Sequence, residues 1–286
     1  MLKRRIPELV AQYTLEPTLR DLYVEGSFDK AVMIWFFNES SVDRAKVFSI
    51  DDVEVPAELV KKHGYTPGNK QEVISLAKEV EELIGPTLQI TCIADADCDR
   101  VLDSVTICDH LFLTDYTSME LYLFHPAPMR KFIGLVLQQG KVDTEQMLER
   151  YVQPLREVFL LRAALRSLDI PSGMVDFTKC LNDQGAAIEI DLAELVNRVL
   201  NKGNARNRRE EVFERIKELA VAERQDCRHS IYGHDFVAML NWEYGKVANK
   251  RGIMGETGVL HGLVGCLEYA IVIEEPLFRN CLTRCG

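Results

Sequence analysis

Over its first 125 residues the chain alternates short apolar runs with stretches of helical periodicity, and this order constrains the fold more than any other feature. Leu22-Tyr23-Val24 is a short apolar run, and Ser27 is placed to cap a helix with an apolar face through Ala31, Ile34, Trp35 and Phe37. Trp35 and Phe36 read as core residues of that helix and not as base-stacking platforms. Residues 45–50 (AKVFSI) read as a second strand. A polar loop with Pro56, Gly64, Pro67 and Gly68 follows. Asn69 is placed to cap a helix in which Val73, Ile74, Ala77, Val80, Leu83 and Ile84 recur at helical spacing, and Gly85-Pro86 stops it. Residues 88–94 (LQITCIA) are largely apolar and so read as a central strand; residues 110–114 (HLFLT) read as a fourth. Strand and helix in this alternation predict an α/β fold, a parallel sheet flanked by helices.

The second half reads differently. Residues 145–168, 191–200, 208–224, 235–250 and 259–273 carry helical periodicity, and only 186–190 suggests a strand. The expectation is a sheet domain over residues 1–130 and an appended C-terminal helical domain over 131–286, serving interaction, oligomerisation or substrate binding. With 286 residues, 47% hydrophobic and 27% charged, the chain is long and apolar enough to bury a core without staples. The formal net charge of −10 excludes the uniformly basic footprint of a histone-like protein. Nucleic-acid contact must then come from a local basic patch or from metal ions. The basic start Lys3-Arg4-Arg5 runs into Pro7 and Glu8, unlike a secretory signal. The longest apolar run, 31–37, falls far short of the roughly 20 residues of a membrane span. The reading is a soluble, cytoplasmic protein without a membrane partner. Eight cysteines without a CxxC pair read as free, mostly buried thiols, and Cys281 and Cys285 lack the further ligands of a zinc site.

In parallel α/β sheets, ligands bind beyond the carboxyl ends of the strands. Here those ends are acidic. The first strand runs into Glu25-Gly26, with Asp29 a turn later; the third into Asp95, Asp97 and Asp99; the fourth into Thr114-Asp115, with Glu120 close behind. Carboxylates crowded on one edge repel, and a hard divalent cation such as Mg²⁺ or Mn²⁺ removes the conflict. That repulsion predicts that Asp97→Ala leaves the metal-free fold as stable or slightly more so. A solvated acidic loop remains the alternative for the Asp-x-Asp-x-Asp taken alone. An EF-hand does not fit, because Arg100 and Thr106 stand where its Gly and Glu belong.

Leu22-Tyr23-Val24-Glu25-Gly26-Ser27-Phe28-Asp29, followed by Ile93-Ala94-Asp95-Ala96-Asp97, resembles the Toprim domain, which carries a strand-terminal Glu-Gly and, two strands later, an Asp-x-Asp. Residues 113–123 (LTDYTSMELYL) and the later Gly233-His234-Asp235 resemble one stand-alone Toprim family. Its best-understood member type is the effector nuclease of the PARIS anti-phage defence system. The resemblance implies Mg²⁺-dependent cleavage of phosphodiester bonds, with transfer RNA as the target and an ABC-type ATPase partner restraining the nuclease. By the same resemblance Glu25 is the catalytic glutamate, a general base or metal ligand. Asp95 and Asp97 are the principal Mg²⁺ ligands, Asp99 and Glu120 are auxiliary, and Asp29 orients one of them. Two alternatives stay open: a Toprim nuclease acting on DNA, and a degenerate Toprim that only binds nucleic acid or the ATPase. Intact Glu25, Asp95 and Asp97 speak against degeneracy. No separate domain supplies the tyrosine a topoisomerase needs.

Three further features carry chemistry. Gly255-Glu256-Thr257-Gly258 is no phosphate loop, since no Gly-Lys-Ser/Thr follows, so an ATPase activity belongs to a partner. His234 reads either as an acid–base group in RNA cleavage or as part of a helix start with Asp235 near the positive helix end; His229 reads as structural. Lys202, Arg206 and Arg208 lead a basic segment that also holds Arg209, Arg215 and Lys217. They read as phosphate-backbone contacts, against the alternative of pairing with Glu210, Glu211, Glu214 and Glu218 along a solvated helix. Because the acidic edge offers little positive surface, a homodimer in which a second copy lends basic side chains is expected for the active state.

Overall fold

The computed structural model describes residues 3–221 and 226–286. Its strands are β1 (Arg4–Arg5), β2 (Arg20–Val24), β3 (Ala45–Ser49), β4 (Val53–Glu54), β5 (Ile90–Ala94), β6 (Leu111–Leu113), β7 (Leu181–Asp183) and β8 (Ile188–Ile190). Its helices are α1 (Ile6–Leu15), α2 (Ser27–Glu39), α3 (Ala57–Lys62), α4 (Asn69–Ile84), α5 (Pro126–Lys131), α6 (Thr144–Ser167), α7 (Leu192–Lys202), α8 (Arg209–Ala220), α9 (Gly233–Lys250), α10 (Gly255–Val264), α11 (Tyr269–Val272) and α12 (Pro276–Cys285). The chain divides into two compact units, each drawn from more than one stretch of sequence. The first comprises 1–96, 105–115 and 269–286; the second comprises 97–104 and 116–268.

The first unit is α/β. Its sheet has the order β3-β2-β5-β6, every pairing parallel, so β2 and β5 are interior. Side chains alternate across each strand. Tyr23, Cys92 and Ala94 join Leu9 and Tyr13 of α1 and Val73, Ile74, Ala77 and Val80 of α4 in one core. The alternate residues Leu22, Val24 and Ile93 are equally buried and face the other side. On α2 the buried residues are Val32, Met33, Phe36 and Phe37, whereas Ala31 and Ile34 are exposed and Trp35 is half-buried. The packed stripe is thus rotated about one residue from the expected face. Phe36 accounts for the shift, because it meets Phe278 of α12 edge-on at 4.8 Å and stacks on Tyr269 at 5.7 Å. Leu83 on α4 is likewise exposed.

A buried polar network braces this unit. Arg4 donates to Asp21 at 3.0 Å and to Tyr23 at 2.5 Å, and Tyr13 donates to Asp21 at 3.1 Å. Asp21 is a buried carboxylate held by a cation and hydroxyls, the condition under which a buried charge is tolerated. The C-terminal helix is tied down too. Arg284 donates to Thr87 O at 2.7 Å and approaches His110 Nδ1 at 3.1 Å, and the Leu277 N–H donates to Asp115 Oδ2 at 3.0 Å.

The second unit is helical, with one small antiparallel pair, β7 and β8. Asp143 and Asp191 cap α6 and α7 by accepting from backbone N–H groups three residues on. The expected helix over 259–273 is two helices. α10 stops at Gly265, and Glu268 beyond it pairs with Lys131 at 3.0 Å. The expected helix over 208–224 spans Arg209–Ala220; residues 222–225 lie outside the described residues. No helix among the described residues is long and apolar enough to cross a membrane. All eight cysteines are free, six of them buried.

Candidate functional site

The parallel register places the acidic strand ends of the first unit. Tyr23 pairs with Cys92, so Glu25 falls level with Ala94, just before Asp95. The Asp95 N–H donates to Glu25 Oε1 at 2.7 Å. Gly26 turns the chain into α2, and Asp29 Oδ2 accepts the Gly26 N–H at 3.0 Å. Asp29 therefore fixes the turn that carries Glu25. A third element joins here. Asn69, expected as a cap, stands inside α4 and donates through Nδ2 to the Glu25 carbonyl at 2.9 Å, while Gly68 takes the cap position. Lys70, the next residue, is buried, an uncommon state for a lysine. Nothing in the sequence singled it out beyond its place after a Gly-Asn at a helix start. At the adjoining strand end, Thr114 Oγ1 accepts the Ala96 N–H at 2.9 Å.

The remaining predicted residues lie in the second unit. Asp97 and Asp99 sit in a turn and not on an extended segment. Asp97 adopts a left-handed backbone with φ of 46°, a conformation that Asp and Asn tolerate better than other side chains. Its N–H donates to Thr117 O at 2.7 Å. Asp99 is buried, and its Oδ1 pairs with Arg166 Nη2 of α6 at 2.7 Å. Arg166 also donates to Cys98 Sγ at 3.3 Å. Glu120 is buried beside the start of α9, where its Oε1 lies 3.4 Å from Nδ1 of the exposed His234. The neighbouring Asp235 is gripped by Arg162 through two bonds, 2.9 and 2.6 Å. Arg162 and Arg166 are one helical turn apart on α6, and neither drew notice in the sequence, because their partners are remote along the chain.

The basic segment is largely paired within itself. Arg208 binds Glu211 at 2.7 Å and the Leu168 carbonyl at 3.0 Å, and Arg215 binds Glu218 at 2.8 Å. Lys202 donates to the Met174 carbonyl at 3.0 Å. Arg206 is exposed.

One further cluster lies in the first unit. His63, Glu79 and Glu82 bring ligand-type atoms within 4.8 Å of one another. Lys62 Nζ stands 2.5 and 2.6 Å from the two carboxylates, so an ammonium already supplies the positive charge a metal would bring.

No protein-family model matches the chain, and no curated protein matches it.

Proposed function

We propose that the chain is a Toprim-type, metal-dependent nuclease that cleaves RNA, with transfer RNA as substrate class and an ABC-type ATPase as restraining partner. The observation that carries the reading is the junction of β2 and β5. Two parallel strands end side by side in carboxylates, and the second of these residues gives its N–H to the first at 2.7 Å. Such a junction at the carboxyl edge of a parallel sheet is where this fold class places its chemistry. The donors are carboxylate oxygens, a hard set suited to Mg²⁺ or Mn²⁺ and poorly suited to softer metals. Glu25 and Asp95 would hold the ion, and Asp97 is added to them by the Toprim resemblance alone. Once bound, it supplies charge neutralisation at the scissile phosphate and a more acidic bound water.

The chain's own residues do the positioning. Asp29 holds the Gly26 turn, Asn69 holds the Glu25 carbonyl, and the Asp95 N–H holds the Glu25 carboxylate. Three elements fix one glutamate, more than a solvated acidic loop needs. Arg206, exposed between α7 and α8, is the phosphate-backbone contact of the basic segment. Expression of the chain without its partner tests the proposal. Discrete transfer-RNA fragments beside intact chromosomal DNA support it. Degraded DNA beside whole transfer RNA replaces RNA by DNA as the substrate.

A further inference from the structure

We propose that the free edge of β8 takes an added strand, an extended segment of a partner protein that carries Lys or Arg side chains four residues apart. The inference is independent of the nuclease reading, and every residue it uses belongs to the second unit.

The hairpin of β7 and β8 sets the geometry. Leu181 lies opposite Ile190, and Asp183 opposite Ile188. The Gln184 N–H donates to Ala187 O at 2.9 Å, and the Asp191 N–H donates to Cys180 O at 2.9 Å. Backbone groups alternate in direction along an antiparallel strand, so Ala187, Glu189 and Asp191 turn theirs toward β7. Ile188 and Ile190 turn theirs the other way, to the free edge. Side chains alternate across the hairpin as well. Asp183 pairs with Arg150 of α6 at 2.9 Å, so its face, shared with the buried Ile188, is the one laid on α6. Asn182 and Glu189, on the opposite face, are exposed. The hairpin thus lies flat on α6, with its free edge running out over that helix.

A slot of about 670 Å³ occupies this corner. One wall is the unbroken run 186–190. A strand edge offers consecutive residues in this way, whereas a strand face offers every second one. The floor is Gln146, Glu149, Gln153 and Glu157, which recur at helical spacing on α6. Arg150 also borders the slot, but Asp183 and Glu243 take its charge, at 2.9 and 3.1 Å. That leaves Glu149, Glu157 and Glu189 without an ion pair among the described residues. Burial pushes the Glu157 carboxyl up, against the bond from Gln153 at 2.8 Å, which lowers it.

These charges choose the occupant. They repel a nucleic-acid backbone. A second copy of this chain, pairing through its own β8, would bring another Glu189 and another set of α6 carboxylates to the same acidic corner. A cationic segment meets neither obstacle. Added about 4.8 Å from β8, it would exchange backbone bonds with Ile188 and Ile190 and turn alternate side chains down onto α6. Glu149 and Glu157 are about 12 Å apart along their helix. Four residues of strand span about 13 Å, so cations at that separation match the two carboxylates. The run Ala-Ala-Ile-Glu-Ile holds neither the proline nor the lysine that commonly guards an exposed edge.

The test uses the full chain and a fluorescein-labelled peptide, Thr-Lys-Thr-Val-Thr-Lys-Thr, followed by anisotropy. Three further peptides serve as controls: one with Glu in place of both Lys, and two N-methylated on one or the other alternate set of backbone nitrogens. The Lys peptide should bind about tenfold or more tightly than the Glu peptide, and Glu149→Gln combined with Glu157→Gln should remove that preference while melting with the wild type. One of the two N-methylated copies should lose about tenfold or more and the other should keep binding, because only alternate N–H groups face β8. Amide hydrogen exchange gives a second readout. The bound peptide should slow Ile188 and Ile190 and leave Glu189, already bonded to β7, little changed. Loss of binding in neither or in both N-methylated copies overturns strand addition, as does unchanged exchange at Ile188 and Ile190. Equal binding of the Lys and Glu peptides overturns the charge of the partner. The same protection from a single-stranded RNA oligonucleotide, or from self-association of the chain alone, gives the slot to another occupant and overturns the proposal.

Discussion

Asp95 gives its backbone N–H to the side chain of Glu25, 70 positions earlier in the chain, at 2.7 Å. The glutamate therefore has a structural bond as well as a proposed chemical role, and the two separate by measurement. Glu25→Ala removes an acceptor at a half-buried N–H, a loss of about 1–3 kcal/mol. Glu25→Gln keeps an acceptor oxygen and should melt within a few degrees of the wild type. Both variants should lose about 10²-fold or more in RNA cleavage. Undiminished cleavage by the well-folded Glu25→Gln variant counts against the nuclease reading.

At Asp97 the backbone adds a second effect to charge repulsion. Its φ of 46° charges an alanine about 1–2 kcal/mol, which opposes the relief gained by removing a carboxylate. Asp97→Asn keeps the left-handed preference and loses the charge. It should fold as well as the wild type or better while losing Mg²⁺ affinity, and Asp97→Ala should be the less stable of the two. Thermal melts and calorimetric titration with Mg²⁺ or Mn²⁺ check both halves.

Arg162 is the counter-charge of a buried aspartate, 4% exposed. Arg162→Ala leaves that charge without its cation and should destabilise the fold by about 3 kcal/mol. Arg162→Lys keeps the charge without the two-pronged geometry and should fall between. Urea denaturation measures the difference; equal midpoints for all three chains would show that the pair does not hold the α9 start.

His110 sets a pH dependence. Burial holds its imidazole below the ordinary histidine value, against the bond to the Gly85 carbonyl, which raises it. Well above a pH of about 6.5 the ring is neutral in both folded and unfolded chains, and its titration contributes nothing. As pH falls below that value, the unfolded chain takes up a proton that the folded chain refuses, so stability drops. His110→Gln should flatten the fall in stability between about pH 7 and 5, measured by denaturation at each pH.

The four parallel strands, their acidic ends and the Glu25–Asp95 neighbourhood are legible in the sequence because each depends on local apolar runs and on period-two alternation. What depends on distant partners is not. On α2, Phe36 is buried as its pattern suggests, but its partners Phe278 and Tyr269 lie far along the chain and no local pattern announces them. Asn69 has the residue type of a cap, yet its side chain serves the Glu25 carbonyl. Lys70 and Arg162 look like ordinary surface cations until their burial or their partners are seen. His234 stands beside the buried Glu120, 114 positions earlier, at a helix start where Gly233 has no room for a side chain, and no local pattern announces that contact.

The unit that holds β2 and β5 takes its last piece, residues 269–286, after the whole of 116–268 has been made. During synthesis Phe36, His110 and the Thr87 carbonyl must therefore wait for Phe278 and Arg284. A ribosome-bound chain can finish the helical unit first, while the sheet that carries Glu25 and Asp95 still lacks α12. A stop codon or frameshift just before residue 276 would leave Phe36 without Phe278 and the Thr87 carbonyl without Arg284. Such a product would be a substrate for chaperones and proteases and not a weaker copy of the protein.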